Sequence, residues 1–159
     1  MINNEIRHEI VSSNPDIEVR FYLSEDKGSY VAPHWHNSLE LVYMLEGSMT
    51  TQFENNVRQT IEADEISVVN PRVIHSVTAQ RNKALVLLIP SDLLEKYIPA
   101  YDFLEFHVDM HPDDQVNITR LERLKKICIS YMIFVRTHIC LNSTVCFMIF
   151  FTHLYIHIP

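Results

Sequence analysis

Gly28-Ser29-Tyr30-Val31-Ala32-Pro33-His34-Trp35-His36-Asn37-Ser38-Leu39-Glu40-Leu41-Val42-Tyr43-Met44-Leu45-Glu46-Gly47 is the stretch on which the reading of this chain turns. Side chains alternate across a strand, so residues of like parity share a face. His34, His36 and Glu40 have the same parity and, on one unbroken strand, point to one side. Val42 and Met44 continue that face as the dry wall of a pocket, while Leu41, Tyr43 and Leu45 point away. Two imidazoles and a carboxylate converging in this way are ligand types that a divalent cation takes. His75, in Asn70-Pro71-Arg72-Val73-Ile74-His75, is the candidate fourth member, supplied from a neighbouring strand. The competing reading is a hydrogen-bonded polar cluster that holds no metal. Trp35 has the opposite parity and belongs to packing or to a rim.

Gly28 and Gly47, which bracket the stretch, are the only glycines in 159 residues. Each therefore marks a specific backbone demand, a positive φ or a tight turn. Two glycines also exclude a Walker A run and a dinucleotide fingerprint. On either side the pattern is one of short strands: Glu18–Leu23, Leu39–Glu46, Met49–Glu54, Val57–Ile61, Ile66–Val69, Val73–Thr78 and Leu85–Ile89. Turn residues separate them at Glu25-Asp26-Lys27-Gly28, Asn55-Asn56, Ala63-Asp64, Asn70-Pro71 and Arg81-Asn82-Lys83. Asn55-Asn56 predicts a hairpin, because Asn tolerates the positive φ that such a turn needs. Closely spaced strands with this punctuation predict an antiparallel sandwich or barrel over residues 18–90, preceded by a polar arm at 1–17.

Beyond Pro90 the pattern turns helical. Asp92-Leu93-Leu94-Glu95 predicts a short helix ending before Pro99. Thr119-Arg120-Leu121-Glu122 reads as a capping box that opens an amphipathic helix with Leu121, Leu124 and Cys128 on one stripe. That stripe serves either the core or a homodimer interface. All 20 acidic residues lie at or before Glu122, and no charged side chain follows Arg136. Three readings fit the tail after about residue 128: a membrane span interrupted by polar residues, a buried or dimer-forming helix, or a shifted or truncated reading frame. The abrupt change in composition favours a helical interface region, 91–159, with an aberrant end.

The composition, 47% hydrophobic and 21% charged, is that of an ordinary globular chain. A net charge of −7 with no stripe of Lys and Arg excludes grip on a phosphate backbone by this chain alone. Cys128, Cys140 and Cys146 form no Cys-x-x-Cys pair, and the first residues lack the basic start and apolar core of a signal peptide. The expected location is the cytoplasm, away from membranes.

The spacing carries a resemblance. Gly28, five residues, His34, one residue, His36, three residues, Glu40, six residues, Gly47 matches the first cupin motif at every defined position. The second motif is partial: Pro71 is in place, Glu65 and Val73 stand where glycines are expected, His75 falls one residue early and Ala79 replaces an asparagine. Pro71-Arg72-Val73-Ile74-His75-Ser76 and Pro33–Gly47 resemble the corresponding motifs in sensor domains of AraC/XylS-type transcription regulators. Residues 118–127 resemble the start of the interdomain helices of that family. The resemblance implies a mainly β fold, a single jelly-roll-like cupin barrel followed by C-terminal α-helices. It also implies a small-molecule effector, a sugar for instance, bound by His34, His36, Glu40, Val42, Met44 and His75. Homodimerisation through the helices follows, with Leu121, Leu124 and Cys128 at the interface. DNA would be bound only through helix-turn-helix units that these 159 residues do not contain. No catalytic residue is singled out and no cofactor is required. The alternative is a metal-dependent cupin dioxygenase or isomerase, in which His34, His36, Glu40 and His75 hold Fe, Mn, Ni or Zn.

Overall fold

The computed structural model describes residues 6–15, 17–137 and 155–157. Three strands of 16 residues dominate it: β2 (Arg20–Trp35), β3 (Ser38–Phe53) and β6 (His75–Pro90). Shorter strands flank them: β1 (Arg7–His8), β4 (Arg58–Glu62) and β5 (Ile66–Val69). The sheet runs β1-β2-β6-β3-β4, with β5 also on β3, and every pairing but β1 with β2 is antiparallel. Then come α1 (Ser91–Tyr97), a 3-10 turn (Tyr101–Phe103), β7 (Glu105–His107), α2 (Gln115–Thr137) and β8 (Tyr155–His157), which pairs with β7.

Turn residues that predicted strand breaks lie inside continuous strands. Glu25–Gly28 falls within β2, Arg81–Lys83 within β6, and the runs expected on either side of Gly47 are one strand, β3. Pairing on the sheet overrides local turn preference. What these residues build is a bend. Inward-facing side chains on β2 are Tyr22, Ser24 and Asp26 before Gly28, but Ser29, Val31 and His34 after it. On β6 the same switch separates Ala84 and Asn82 from Ala79 and Val77. On β3 it lies around Gly47, where the register with β6 slips. Gly28 and Gly47 both have positive φ, +116° and +78°. A Cβ on Gly47 would stand 2.0 Å from the carbonyl oxygen of Arg81, so β3 and β6 pass here at a distance only glycine allows.

The bend brings distant ends of one strand together. Glu40 pairs with Leu88 near one end of β6, and His34 pairs with His75 at the other. Thirteen extended residues would separate those ends by roughly 40 Å. Yet the Glu40 carboxylate lies 3.6 Å from the His75 ring. The long strands therefore curl back on themselves into a barrel, and the histidine cluster sits where their ends meet.

Two apolar layers hold this shape. On the outer face, Leu39, Leu41 and Tyr43 of β3 pack with Leu85, Leu87 and Ile89 of β6. Leu93 and Leu94 of α1, Phe106 of β7, and Leu121, Leu124 and Cys128 of α2 complete that layer. Inside, Val42, Met44, Met49, Ile61, Ala79, Ala84, Val86 and Leu88 form the second.

The helices differ in detail from the sequence expectation. α1 starts at Ser91 behind Pro90, with no side-chain cap, and Asp92 lies in its first turn. α2 starts one turn before Thr119, because the Asp114 carboxylate accepts from the backbone N–H groups of Val116 and Asn117 at 2.9 and 3.0 Å. The Thr119 hydroxyl, inside the helix, donates to the Gln115 carbonyl. Asn56 does take positive φ, +62°, in the link between β3 and β4. The questions raised about the tail concern mainly residues 138–154, outside the described residues. No helix among the described residues is long and apolar enough to cross a membrane.

Candidate functional site

His34, His36 and Glu40 come from three consecutive pieces of backbone rather than from one strand. His34 ends the inward face of β2, His36 sits in the two-residue link, and Glu40 opens the inward face of β3. Parity survives the break because the link is only His36-Asn37. His75 joins them as the first residue of β6. Its early position relative to the motif is absorbed by the Asn70–Ile74 loop, where Arg72 takes φ +67° and donates its N–H to the His36 carbonyl at 2.8 Å. A register slip on β2 between Val31 and His34 sets His34 opposite His75.

The three rings are held alike. Each Nδ1 faces a backbone carbonyl: Ala32 for His34 at 3.0 Å, Ser38 for His36 at 2.9 Å and Val73 for His75 at 3.0 Å. A carbonyl only accepts, so each Nδ1–H donates, and in the neutral ring Nε2 keeps its lone pair. One ring nitrogen of each histidine lies within 4.8 Å of the others. The Glu40 Oε2 atom is 2.9 Å from His36 Nε2 and 3.6 Å from His75 Nε2. All three imidazoles are buried, at 7%, 1% and 2% exposure.

Electrostatics follows from this geometry. Burial alone would raise the Glu40 carboxyl, but hydrogen bonding from His36 and His75 outweighs it and holds the group down at about 2. Burial lowers His34, against a smaller opposing pull from the Ala32 carbonyl, and keeps its ring neutral. Burial also pulls His75 down, but Glu40 and the Val73 carbonyl overcome it and raise it. A divalent cation takes imidazole lone pairs and an ionised carboxylate, and here it would replace the Nε2 protons of His36 and His75 that face Glu40. Carbonyls that orient the far nitrogen of each ring are the usual outer support of such a site. The donor set fits a metal, and His34, His36, His75 and Glu40 would hold it.

The cluster opens onto a cavity of about 350 Å³. Val42 lines it with Met49, Val77, Ala84, Val86 and Leu88, while Met44, expected on the wall, is buried in the inner apolar layer and does not reach the cavity. The β2 side is polar, with Tyr22, Ser24, Asp26 and Ser29. Arg7 and Glu9 of the N-terminal arm also line the cavity. The arm is seated by β1 pairing with β2, by the His8 ring stacked on Trp35 at 4.0 Å, and by Glu9 lying 3.6 Å from His34 Nε2. These residues escaped the sequence reading because a two-residue strand leaves no periodic signal. The outward place of Trp35 is as expected. Leu121, Leu124 and Cys128 are 7%, 0% and 3% exposed in the chain's own core; among the described residues of α2, Val116, Ile118, Ile129 and Ile133 are the exposed large apolar ones.

The family comparison agrees with the barrel. Residues 21–90 match the family described as "Cupin domain". No curated protein sequence matches the chain. Solved structures that resemble it include a cupin-2 domain-containing protein of Shewanella frigidimarina, 22% identical over 46% of this chain and 71% of that one, with a TM-score of 0.41. A protein of Neisseria meningitidis is 24% identical over 45% and 74%, TM-score 0.41. A cupin superfamily protein of Desulfitobacterium hafniense is 18% identical over 51% and 74%, TM-score 0.44. The residues matched, 21–90, are those of the strands that carry the glycine bends and the histidine cluster.

Proposed function

We propose that this chain is a small-molecule-binding cupin whose polar ligand is anchored at His34, His36, His75 and Glu40 through a divalent cation and is sensed by the elements around the barrel. The observation that carries the reading is the common pinning of three Nδ1 atoms to carbonyls, with a ring nitrogen of each histidine within 4.8 Å of the others and Glu40 beside His36 and His75. A bound cation supplies Lewis acidity and open positions for an oxygen-bearing ligand. The chain's own residues do the rest. Val42, Val77, Ala84 and Val86 exclude water from one wall, and Tyr22, Ser24 and Ser29 offer hydroxyls for a sugar or other polyol.

A sensing role is supported by the arm. Arg7 and Glu9 line the cavity but reach it on a strand of only two residues, so a ligand that contacts them biases how the arm is held. In this reading the chain is the effector-binding part of an AraC/XylS-type regulator, homodimeric and cytoplasmic, with DNA bound by helix-turn-helix units supplied elsewhere. The second reading, a metal-dependent dioxygenase or isomerase, is favoured by the same four ligands.

Metal analysis of the purified protein, loaded in turn with Fe, Mn, Ni and Zn, tests the site. Stoichiometric binding by the wild type and its loss in His36→Ala is expected, and a wild type that binds none of the four overturns the metal anchor. Reading the coding DNA beyond codon 127 in all three frames tests the regulator. Two helix-turn-helix patterns support it, and their absence overturns it.

A further inference from the structure

The proposed function requires that occupancy of the cavity reach an element outside it, and the inference below rests on that reading. Lys125 of α2 is buried, 8% exposed, a state a lysine adopts only with partners. Its Nζ lies 2.7 Å from Asp64 Oδ2 and 3.7 Å from Glu122 of the same helix. The other carboxylate oxygen of Asp64 accepts a hydrogen bond from the Tyr43 hydroxyl at 2.8 Å. Asp64 stands in the turn between β4 and β5 with φ +72°. That turn is stitched to β3, since Asp64 N donates to the Met44 carbonyl and Met44 N to the Glu65 carbonyl, both at 2.9 Å.

One carboxylate therefore joins α2 to the strand that carries Glu40. Tyr43 is three residues from Glu40 and next to Val42, whose side chain lines the cavity on the opposite face. Contacts of Leu121, Leu124 and Cys128 also hold α2 on the sheet, but apolar burial is non-directional. The bond from Lys125 to Asp64 fixes one register. We propose that Tyr43–Asp64–Lys125 is the coupling element of the barrel: a shift of β3 at the loaded site carries Tyr43 and Asp64 with it, and Lys125 passes the displacement to α2.

Amide hydrogen exchange of peptides spanning residues 115–128, with and without the metal ion that the wild type binds, tests this. Calorimetry on the same samples monitors metal binding. In the wild type, loading should change exchange in α2 roughly tenfold, within the usual range of coupling between sites. In Lys125→Met and Asp64→Asn the difference should vanish while metal still binds, and Lys125→Arg should restore part of it. Tyr43→Phe, which removes one hydroxyl, should reduce the difference and serves as the readout if the charge variants do not fold. An undiminished difference in these variants overturns the coupling. So does a wild type that binds metal with no change in α2, an outcome that leaves the metal anchor standing. A wild type that binds no metal overturns both.

Discussion

Two faces of the same strands have been given different work. Along β3, Leu39, Leu41 and Tyr43 look outward into a layer shared with α1, β7 and α2, and along β6 Leu85, Leu87 and Ile89 do the same. The residues between them look inward, where Val42 and Val86 share the wall with Glu40 and His75. The outer face is dry and closed by helices. The inner face is open at one side and carries three buried imidazoles and an ionised carboxylate. Alternation at period two lets one strand serve both, since neighbouring side chains never compete for one environment. Stability can therefore be placed on one face and binding on the other, a separation that substitutions can break or sharpen.

The bend that both faces depend on gives the largest expected effect. Gly47→Ala places a methyl 2.0 Å from the Arg81 carbonyl oxygen at φ +78°. It should cost more than about 4 kcal/mol, enough to lose native near-UV circular dichroism at 25 °C. Gly28→Ala meets nothing closer than 3.8 Å and suffers only from its φ of +116°. Its expected cost is roughly 1–3 kcal/mol in a urea titration. Equal effects at the two glycines would show that close strand approach is not what Gly47 provides.

The faces themselves should separate next. Leu124→Ala, fully buried against the outer layer, should lower unfolding free energy by about 2–5 kcal/mol and leave metal affinity of the folded protein unchanged. His36→Ala should do the reverse, abolishing metal binding by calorimetry while shifting urea stability less than Leu124→Ala. Comparable stability losses in both would mean that the cluster is chiefly a structural polar network.

The smallest effect concerns the bond between barrel and α2. The hydrogen bond from Lys125 holds the Asp64 carboxyl below its ordinary 3.8, ahead of an opposing desolvation and further lowering by Tyr43. A depressed carboxyl binds fewer protons folded than unfolded, so its contribution is complete above the ordinary value and is lost as pH falls through the folded one. Its side chain is 68% exposed, which limits the contribution to about 1 kcal/mol or less. Acid unfolding curves of wild type and Asp64→Asn should therefore differ above pH 4 and converge below it. A constant offset at all pH values would exclude the ion pair as the cause.

Much of this is legible in the sequence. His34, His36 and Glu40 shared a parity, Gly28 and Gly47 were the only glycines, and alternating Leu41 and Tyr43 marked an outer face. Such features are local, repeating every second residue or tied to one backbone dihedral, and short-range sterics set them. What escaped depends on residues far apart in the chain. Turn-formers at Asp26 and Asn82 lie within strands because neighbouring strands pair with them. Asp114, not Thr119, caps α2.

By itself the sequence determined the class of fold, the alternation of its strands, the two glycine positions and three of the four members of the histidine–glutamate cluster. His75 was the sequence's candidate for the fourth, and tertiary structure decided its place, since a backbone loop and a register slip, invisible in spacing, set His75 opposite His34. Tertiary structure also placed Arg7 and Glu9 at the cavity and Lys125 on Asp64. Each of these contacts closes a loop of many residues, and the energy that selects among such closures lies in packing and pairing across the whole sheet rather than in any short stretch of chain.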